Sequence, residues 1–205
     1  AQNAPAKAGQ LHAVPLDQPQ SDERLTIIYG SQTGNARREA EALETEARAQ
    51  GLATRLFRAD AYPLKELSKE RLLTVVISTQ GEGDPPDDAI AFVEFLAGRR
   101  APALPGLQFS VLGLGDSSYP LFNATAKKID ARLAELGGTR LCTLAEADVD
   151  IAPVASPWRQ QNLAKAKELL QTSKPSALVT TLHPVISTQQ ASREQPFAAE
   201  LLTNQ

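Results

Sequence analysis

What most constrains this chain is an alternation of two hydrophobic patterns. LTIIY (25–29), RLLTVVIST (71–79) and LQFSVLGLG (107–115) are short, continuous apolar runs. Runs of that kind read as strands covered on both faces. LATRLF (52–57) and TRLCTLA (139–145) add two weaker strand signals. Between them lie helical patterns. Residues 34–51 put Ala40, Leu43 and Ala47 on one face and stop at Gly51. Residues 85–98 open with Pro-Pro and acids, which suits a first helical turn. Residues 119–136 carry Ile129, Leu133 and Leu136 before Gly137-Gly138, and 156–171 form a closing helix. Five strands alternating with helices predict an α/β fold, a parallel doubly wound sheet with helices on both faces.

The 205 residues amount to one domain with tails. Residues 1–24 are expected to be a flexible lead-in or linker, 25–170 the ordered domain, and 171–205 a second linker that runs into PFAAELLTNQ, the start of a missing domain. The chain has no Met, so it is expected to be processed or a piece of something longer, and its first residues lack the build of a signal peptide. No run approaches the roughly 18 apolar residues that cross a bilayer. With 21 basic and 24 acidic residues the net charge is −3, which argues against a general nucleic-acid binder. One Cys excludes an internal disulfide framework and a four-Cys metal site. His12 and His183 stand far apart in Pro-bearing tails, so no His-based metal centre is expected. Cys142 falls in a strand pattern and Trp158 in the closing helix, both as expected core residues.

In a doubly wound sheet, ligands bind beyond the carboxyl ends of the strands. The loops that follow the strands are therefore informative. Ser31-Gln32-Thr33-Gly34-Asn35 follows the first strand and leads into a helix. Its exposed N–H groups and hydroxyls suit a phosphate at a helix terminus, and they equally suit an ordinary helix cap. The loop holds no Lys or Arg and matches neither GxxxxGK[ST] nor GxGxxG. Ser78-Thr79-Gln80-Gly81-Glu82-Gly83-Asp84 follows the third strand, where two glycines allow close approach to a flat ligand or simply form a strand-to-helix turn. Gly113 to Asn123, GLGDSSYPLFN, follows the fourth and carries Tyr119, either a stacking face or a structural aromatic.

Taken together, these loops resemble those of the flavodoxin-like FMN domains of diflavin reductases, a likeness that spans about 25–170. Ser31–Asn35 resembles the SQTGN phosphate loop, Ser78–Asp84 the STQGEGD loop beside the flavin, and Leu114–Asn123 the LGDSSYxxF segment. STQGEGDPPDDA, the ADVD and SxWR runs and the tail into PFAAELLTNQ look most like the NADPH–sulfite reductase flavoproteins. Asn123 instead matches the microsomal reductases.

The resemblance implies a five-stranded sheet in the order 2-1-3-4-5. It implies FMN in this domain, with FAD and NADPH in an absent downstream domain. Ser31, Gln32, Thr33, Gly34, Asn35 and Ala36 would hold the phosphate. Ser78, Thr79, Gln80 and Gly81 would line one side of the ring, with Gly81's peptide facing flavin N5 and Gln80 covering the ring only partly. Leu114, Gly115, Asp116, Ser117, Ser118, Tyr119, Pro120, Leu121, Phe122 and Asn123 would line the other, with Tyr119 stacked on it. No catalytic acid, base or nucleophile is required, because the cofactor carries the chemistry. The implied donor is the FAD/NADPH module of the same chain. The implied acceptor is a haemoprotein, the sirohaem subunit of sulfite reductase, in a cytoplasmic protein. Glu82, Asp84, Asp87, Asp88, Asp116, Glu146, Asp148 and Asp150 would form the acidic face on which it docks. Rival readings are another haem or ferric-chelate acceptor, a quinone reductase, and a cofactor-free regulatory module. The last would place Asp where Ser78 stands.

Overall fold

The computed structural model describes residues 24–172. The chain runs through β1 (Arg24–Gly30), α1 (Asn35–Ala49), β2 (Ala53–Arg58), β3 (Leu72–Ser78), α2 (Ile90–Ala97), β4 (Gln108–Leu114), α3 (Ala124–Glu135), β5 (Thr139–Arg140), β6 (Ala145–Ala147) and α4 (Ala152–Thr172). Every strand pair is parallel, and the order is β2-β1-β3-β4-β5, with β6 also on β4. This is the flavodoxin-like order expected from the sequence.

Alternation along the central strands divides the core into two layers. Leu25, Ile27, Leu72, Val76 and Leu112 pack under α1 and α4, together with Trp158 and Cys142. Burial pushes the Cys142 thiol up, as suits an unreactive core sulfur. Ile28, Leu73, Val75, Ile77 and Val111 pack on the other face under α2 and α3, around Phe92 and Ile129. Three polar residues inside the first layer pair with one another. The Asn162 amide of α4 donates to Thr74 Oγ1 at 3.0 Å and accepts from Ser110 Oγ at 3.3 Å, which keys the closing helix to β3 and β4.

Four elements depart from the sequence expectation. The fifth strand is interrupted: β5 pairs as far as Phe109↔Arg140, and pairing resumes at Leu112↔Ala145. Residues 141–144 therefore bulge from the edge, where a strand has only one neighbour to hold it. The helix expected from 119 begins at Ala124 because Asn123, at φ 54°, sits in the left-handed region and blocks continuation. The closing helix starts earlier than expected, at Ala152, and takes in Pro157. One backbone hydrogen bond is lost there, and burial of Ala155 and Trp158 on either side offsets it. The segment 85–98 splits into a 3-10 turn at Asp87–Ala89 and α2. Arg24, expected in the lead-in, opens β1, and Gln171 and Thr172, expected in the second linker, close α4; the rest of the lead-in and linker, PFAAELLTNQ, His12 and His183 lie outside the described residues.

Candidate functional site

Three of the loops at the carboxyl end of the sheet face one cleft of roughly 340 Å3. The first loop leaves β1 and enters α1 through Gly34, whose φ of 85° is left-handed and whose carbonyl accepts the Arg38 N–H at 3.0 Å. This aims the free N–H groups of the first turn at the loop, where the helix dipole is positive. Ser31 N–H donates to Asp88 Oδ1 and Oδ2 at 3.0 and 3.2 Å, and burial pushes that carboxyl up. Ser31 Oγ is buried without a partner.

The second loop is a closed knot after β3. Gln80 N–H donates to the Asp84 carbonyl at 3.0 Å, and Asp84 N–H returns to the Gln80 carbonyl at 2.9 Å. Gly81 and Gly83 take φ values of 51° and 93° inside it. The Gln80 amide donates to the Pro85 carbonyl at 3.1 Å and so points away from the cleft. Thr79 Oγ1 is buried and unpaired.

The third loop follows β4 as consecutive turns, with Tyr119 N–H on the Asp116 carbonyl and Phe122 N–H on the Tyr119 carbonyl. Asp148 clamps it from outside. Its Oδ1 accepts Ser117 N–H at 2.9 Å and Val149 N–H at 2.8 Å, and Ser117 Oγ donates to its Oδ2. These donors, the Ser117 hydroxyl first, hold the Asp148 carboxyl below the usual range. Asn123 is wholly buried; its amide donates to the Ala147 carbonyl at 3.3 Å, and its Oδ1 is left without a partner. Tyr119 is 59% exposed at the cleft mouth.

Of the residues expected from sequence, Thr33, Asn35, Ser78, Thr79, Gly81, Leu114, Gly115, Asp116, Tyr119, Leu121, Phe122 and Asn123 line this cleft. Pro120 instead borders an adjoining apolar recess shared with Gly81, Glu82, Tyr119 and Leu121. Ser31, Gln32, Gly34, Ala36, Gln80, Ser117 and Ser118 do not line the cleft. Ala36 puts its methyl in the core, so only its backbone could serve a ligand. Asp148, Val149 and Ile151 do line the cleft, although the sequence reading left them out of the site. The available signal was positional: ADVDI follows the fifth strand just as the other three loops follow theirs.

The acidic rim is partly neutralised, since Glu146 pairs with Lys127 at 2.8 Å. Among the described residues no helix is long and apolar enough to cross a membrane. Unpaired oxygens of Ser31, Thr79 and Asn123, first-turn N–H groups and an exposed aromatic ring together fit a phosphorylated, flat aromatic ligand.

Comparison with known proteins points the same way. Residues 27–155 match the flavodoxin family model. The sulfite reductase [NADPH] flavoprotein alpha-component of Shewanella sp. (strain MR-7) is 44% identical over 208 residues, covering 99% of this chain and 34% of the relative. The protein of that name from Photobacterium profundum is 47% identical, covering 89% and 30%. The chain thus spans about a third of the length of these relatives. Among solved structures, a flavodoxin mutant from Pseudomonas aeruginosa aligns with a TM-score of 0.59 at 29% identity, covering 70% of this chain and 99% of that one. A Streptococcus pneumonia flavodoxin aligns at 0.60 and 22% identity, covering 72% and 98%. With the strand order, the cleft-forming loops and the matched span in agreement, the chain belongs to the flavodoxin family.

Proposed function

We propose that this chain is the FMN-binding electron-transfer domain of an NADPH-dependent diflavin reductase. It would take electrons from an FAD/NADPH-binding module and pass them to a haemoprotein, the sirohaem subunit of sulfite reductase. The observation that carries this reading is the pair of unpaired buried oxygens on the cleft residues Thr79 and Asn123, with a third on Ser31 in the adjoining loop, at a cleft whose mouth exposes Tyr119. Such buried orphan groups cost free energy unless a ligand pairs with them.

Ser31, Gln32, Thr33, Gly34, Asn35 and Ala36 take the phosphate through backbone N–H groups, hydroxyls and the α1 terminus. Ser78, Thr79 and Gly81 stand on one side of the ring and Leu114 to Asn123 on the other, with Tyr119 as the stacking platform. Bound FMN supplies one-electron chemistry. The protein's own part is orientation and electrostatics. Gly81 makes no backbone hydrogen bond within its loop, so its peptide would be free to present its N–H or its carbonyl to a bound flavin ring. Glu82, Asp84, Asp116, Asp148 and Asp150 disfavour added negative charge at the ring and offer an acidic face to a basic partner. The names of the Shewanella and Photobacterium relatives support sulfite reductase as the setting.

The direct test adds FMN to the purified chain, removes the excess by gel filtration and records the visible spectrum. Retained flavin bands, with two separate one-electron steps in a potentiometric titration, are the expected result. A colourless protein would overturn the reading. Gly81→Val should shift the two potentials relative to each other; unchanged potentials would remove Gly81's role alone.

A further inference from the structure

Loop 31–35 has no basic residue of its own, yet a phosphate monoester carries between one and two negative charges near pH 7. The structure brings one cation to it. Arg38 lies in the first turn of α1, and its side chain runs back toward the helix start, the direction helical side chains favour. Its Nη2 donates to Asn35 Oδ1, and its Nη1 lies 3.7 Å from where a Cβ on Gly34 would sit. The guanidinium is therefore held beside the loop that would receive the phosphate.

The pairing of the neighbouring charges singles Arg38 out. α1 contains Arg37, Arg38 and Arg48. Arg37 pairs with Glu41 and Arg48 with Glu44, each at 2.7 Å. Glu39 and Glu46 are both taken by Arg159 of α4. Arg38 is the one arginine of this helix without a carboxylate partner among the described residues. The first N–H of the loop is already taken by the Asp88 carboxylate, so the loop has an anion on the α2 side and this cation on the α1 side.

We infer that Arg38 is a phosphate-binding residue that completes the cradle and makes the site prefer a phosphorylated flavin over its dephosphorylated form. The inference rests on the FMN reading above. A planar guanidinium suits a phosphate, and its present hold on a neutral amide oxygen leaves its charge available. Because Arg38 is exposed, its contribution is modest and sensitive to salt.

The test titrates FMN and riboflavin separately into the 205-residue chain and follows quenching of flavin fluorescence. Arg38→Gln should weaken FMN about fivefold at low salt, while riboflavin binding stays within about twofold. Arg38→Lys should recover part of the loss. Arg37→Gln, which removes the same charge one residue away, should leave FMN within about twofold. The inference is overturned if Arg38→Gln binds FMN as the unsubstituted chain does. It also fails if riboflavin weakens equally, or if Arg37→Gln matches the loss, since either would mark a structural or general field effect. Failure of the unsubstituted chain to quench FMN would overturn the FMN reading and this inference together, an outcome distinct from FMN binding that ignores Arg38.

Discussion

Loop 79–84 closes on itself, whereas loop 115–123 is held from the edge of the sheet. In the first, the paired Gln80 and Asp84 backbones and the Gln80 amide on the Pro85 carbonyl are all internal ties. In the second, Ser117 is clamped by Asp148, while Gly115 N–H and the Asn123 amide both reach the Ala147 carbonyl. Lys127 adds a further link, bonding the Phe122 carbonyl and pairing with Glu146. All of those outside anchors lie in or just after β6. The interruption between β5 and β6 thus has a use: it sets the resumed edge strand where it can hold the stacking loop. The first loop is tied outward only at its flanks, by Thr79 N–H on the Leu114 carbonyl at 2.8 Å and Thr125 Oγ1 on the Gly83 carbonyl at 3.3 Å, and the Gly81 peptide between them is held by neither. A loop tied to a distant strand keeps its shape only while that strand is in place, and that is the loop that carries Tyr119.

The most damaging way to break this separation is at the point where the two loops touch. Gly83 has φ 93°, and a Cβ there would fall 2.9 Å from Leu121 Cβ and 3.2 Å from Ala124 Cβ. Gly83→Ala combines left-handed strain with overpacking and should cost about 2–4 kcal/mol in urea unfolding. A loss below about 1 kcal/mol would mean that the loops give way independently even where they meet. Asn123→Ala comes next. It puts alanine at φ 54° and strips the Ala147 carbonyl of a buried donor, for about 1–2 kcal/mol. Asn123→Gly separates the two causes: it relieves the strain and leaves only the lost hydrogen bond. Equal losses in the two variants would show that the tie to Ala147 accounts for the whole effect.

The same contrast explains what could be read from the sequence. The self-closing loop was legible because its determinants are local, with Gly81, Gly83 and Pro85 sitting inside the segment they shape. The three central strands were legible because burial on both faces leaves an unbroken apolar run. The edge was not. TRLCTLA reads as one strand, and nothing within it announces that pairing lapses over 141–144; the register against β4 decides that. Missing the interruption hid Asp148 and Val149 as cleft residues, and missing the left-handed Asn123 extended a helix over turns that belong to the site. Arg38 escaped notice for a related reason: a search of the loop's own residues passes over a side chain that reaches it from the following turn. Gln80 shows a local contact that the motif does not announce. Its position in the motif puts it beside the ring, but the nearby Pro85 carbonyl, which has no partner in the 3-10 turn, draws its amide away.

Asp148 sharpens the comparison through pH. Its carboxyl titrates below the usual range in the folded chain, so its stabilisation is present above the unfolded value and is lost as pH falls through the folded one. Stability of the unsubstituted chain should therefore fall more steeply than that of Asp148→Asn as pH drops below about 4. Because Asp148 clamps the loop that carries Tyr119, the difference should also appear as acid-induced weakening of Tyr119 stacking, followed by the fluorescence of bound FMN. Parallel acid profiles for the two proteins would mean that the clamp holds equally well with a neutral side chain.

Gln80→Ala should have the smallest effect. The substitution removes one partly buried bond to the Pro85 carbonyl and leaves every backbone tie of the knot intact. Unfolding free energy should change by no more than about 0.5–1 kcal/mol. FMN affinity should stay within about twofold, because the amide faces away from the cleft. The two readouts separate two pictures of this loop. If affinity falls severalfold while stability holds, the side chain must swing over the ring when flavin binds, and the knot's inward bond is only its resting state. If both hold, the loop's shape belongs to its backbone and its glycines, and that side of the flavin is left open.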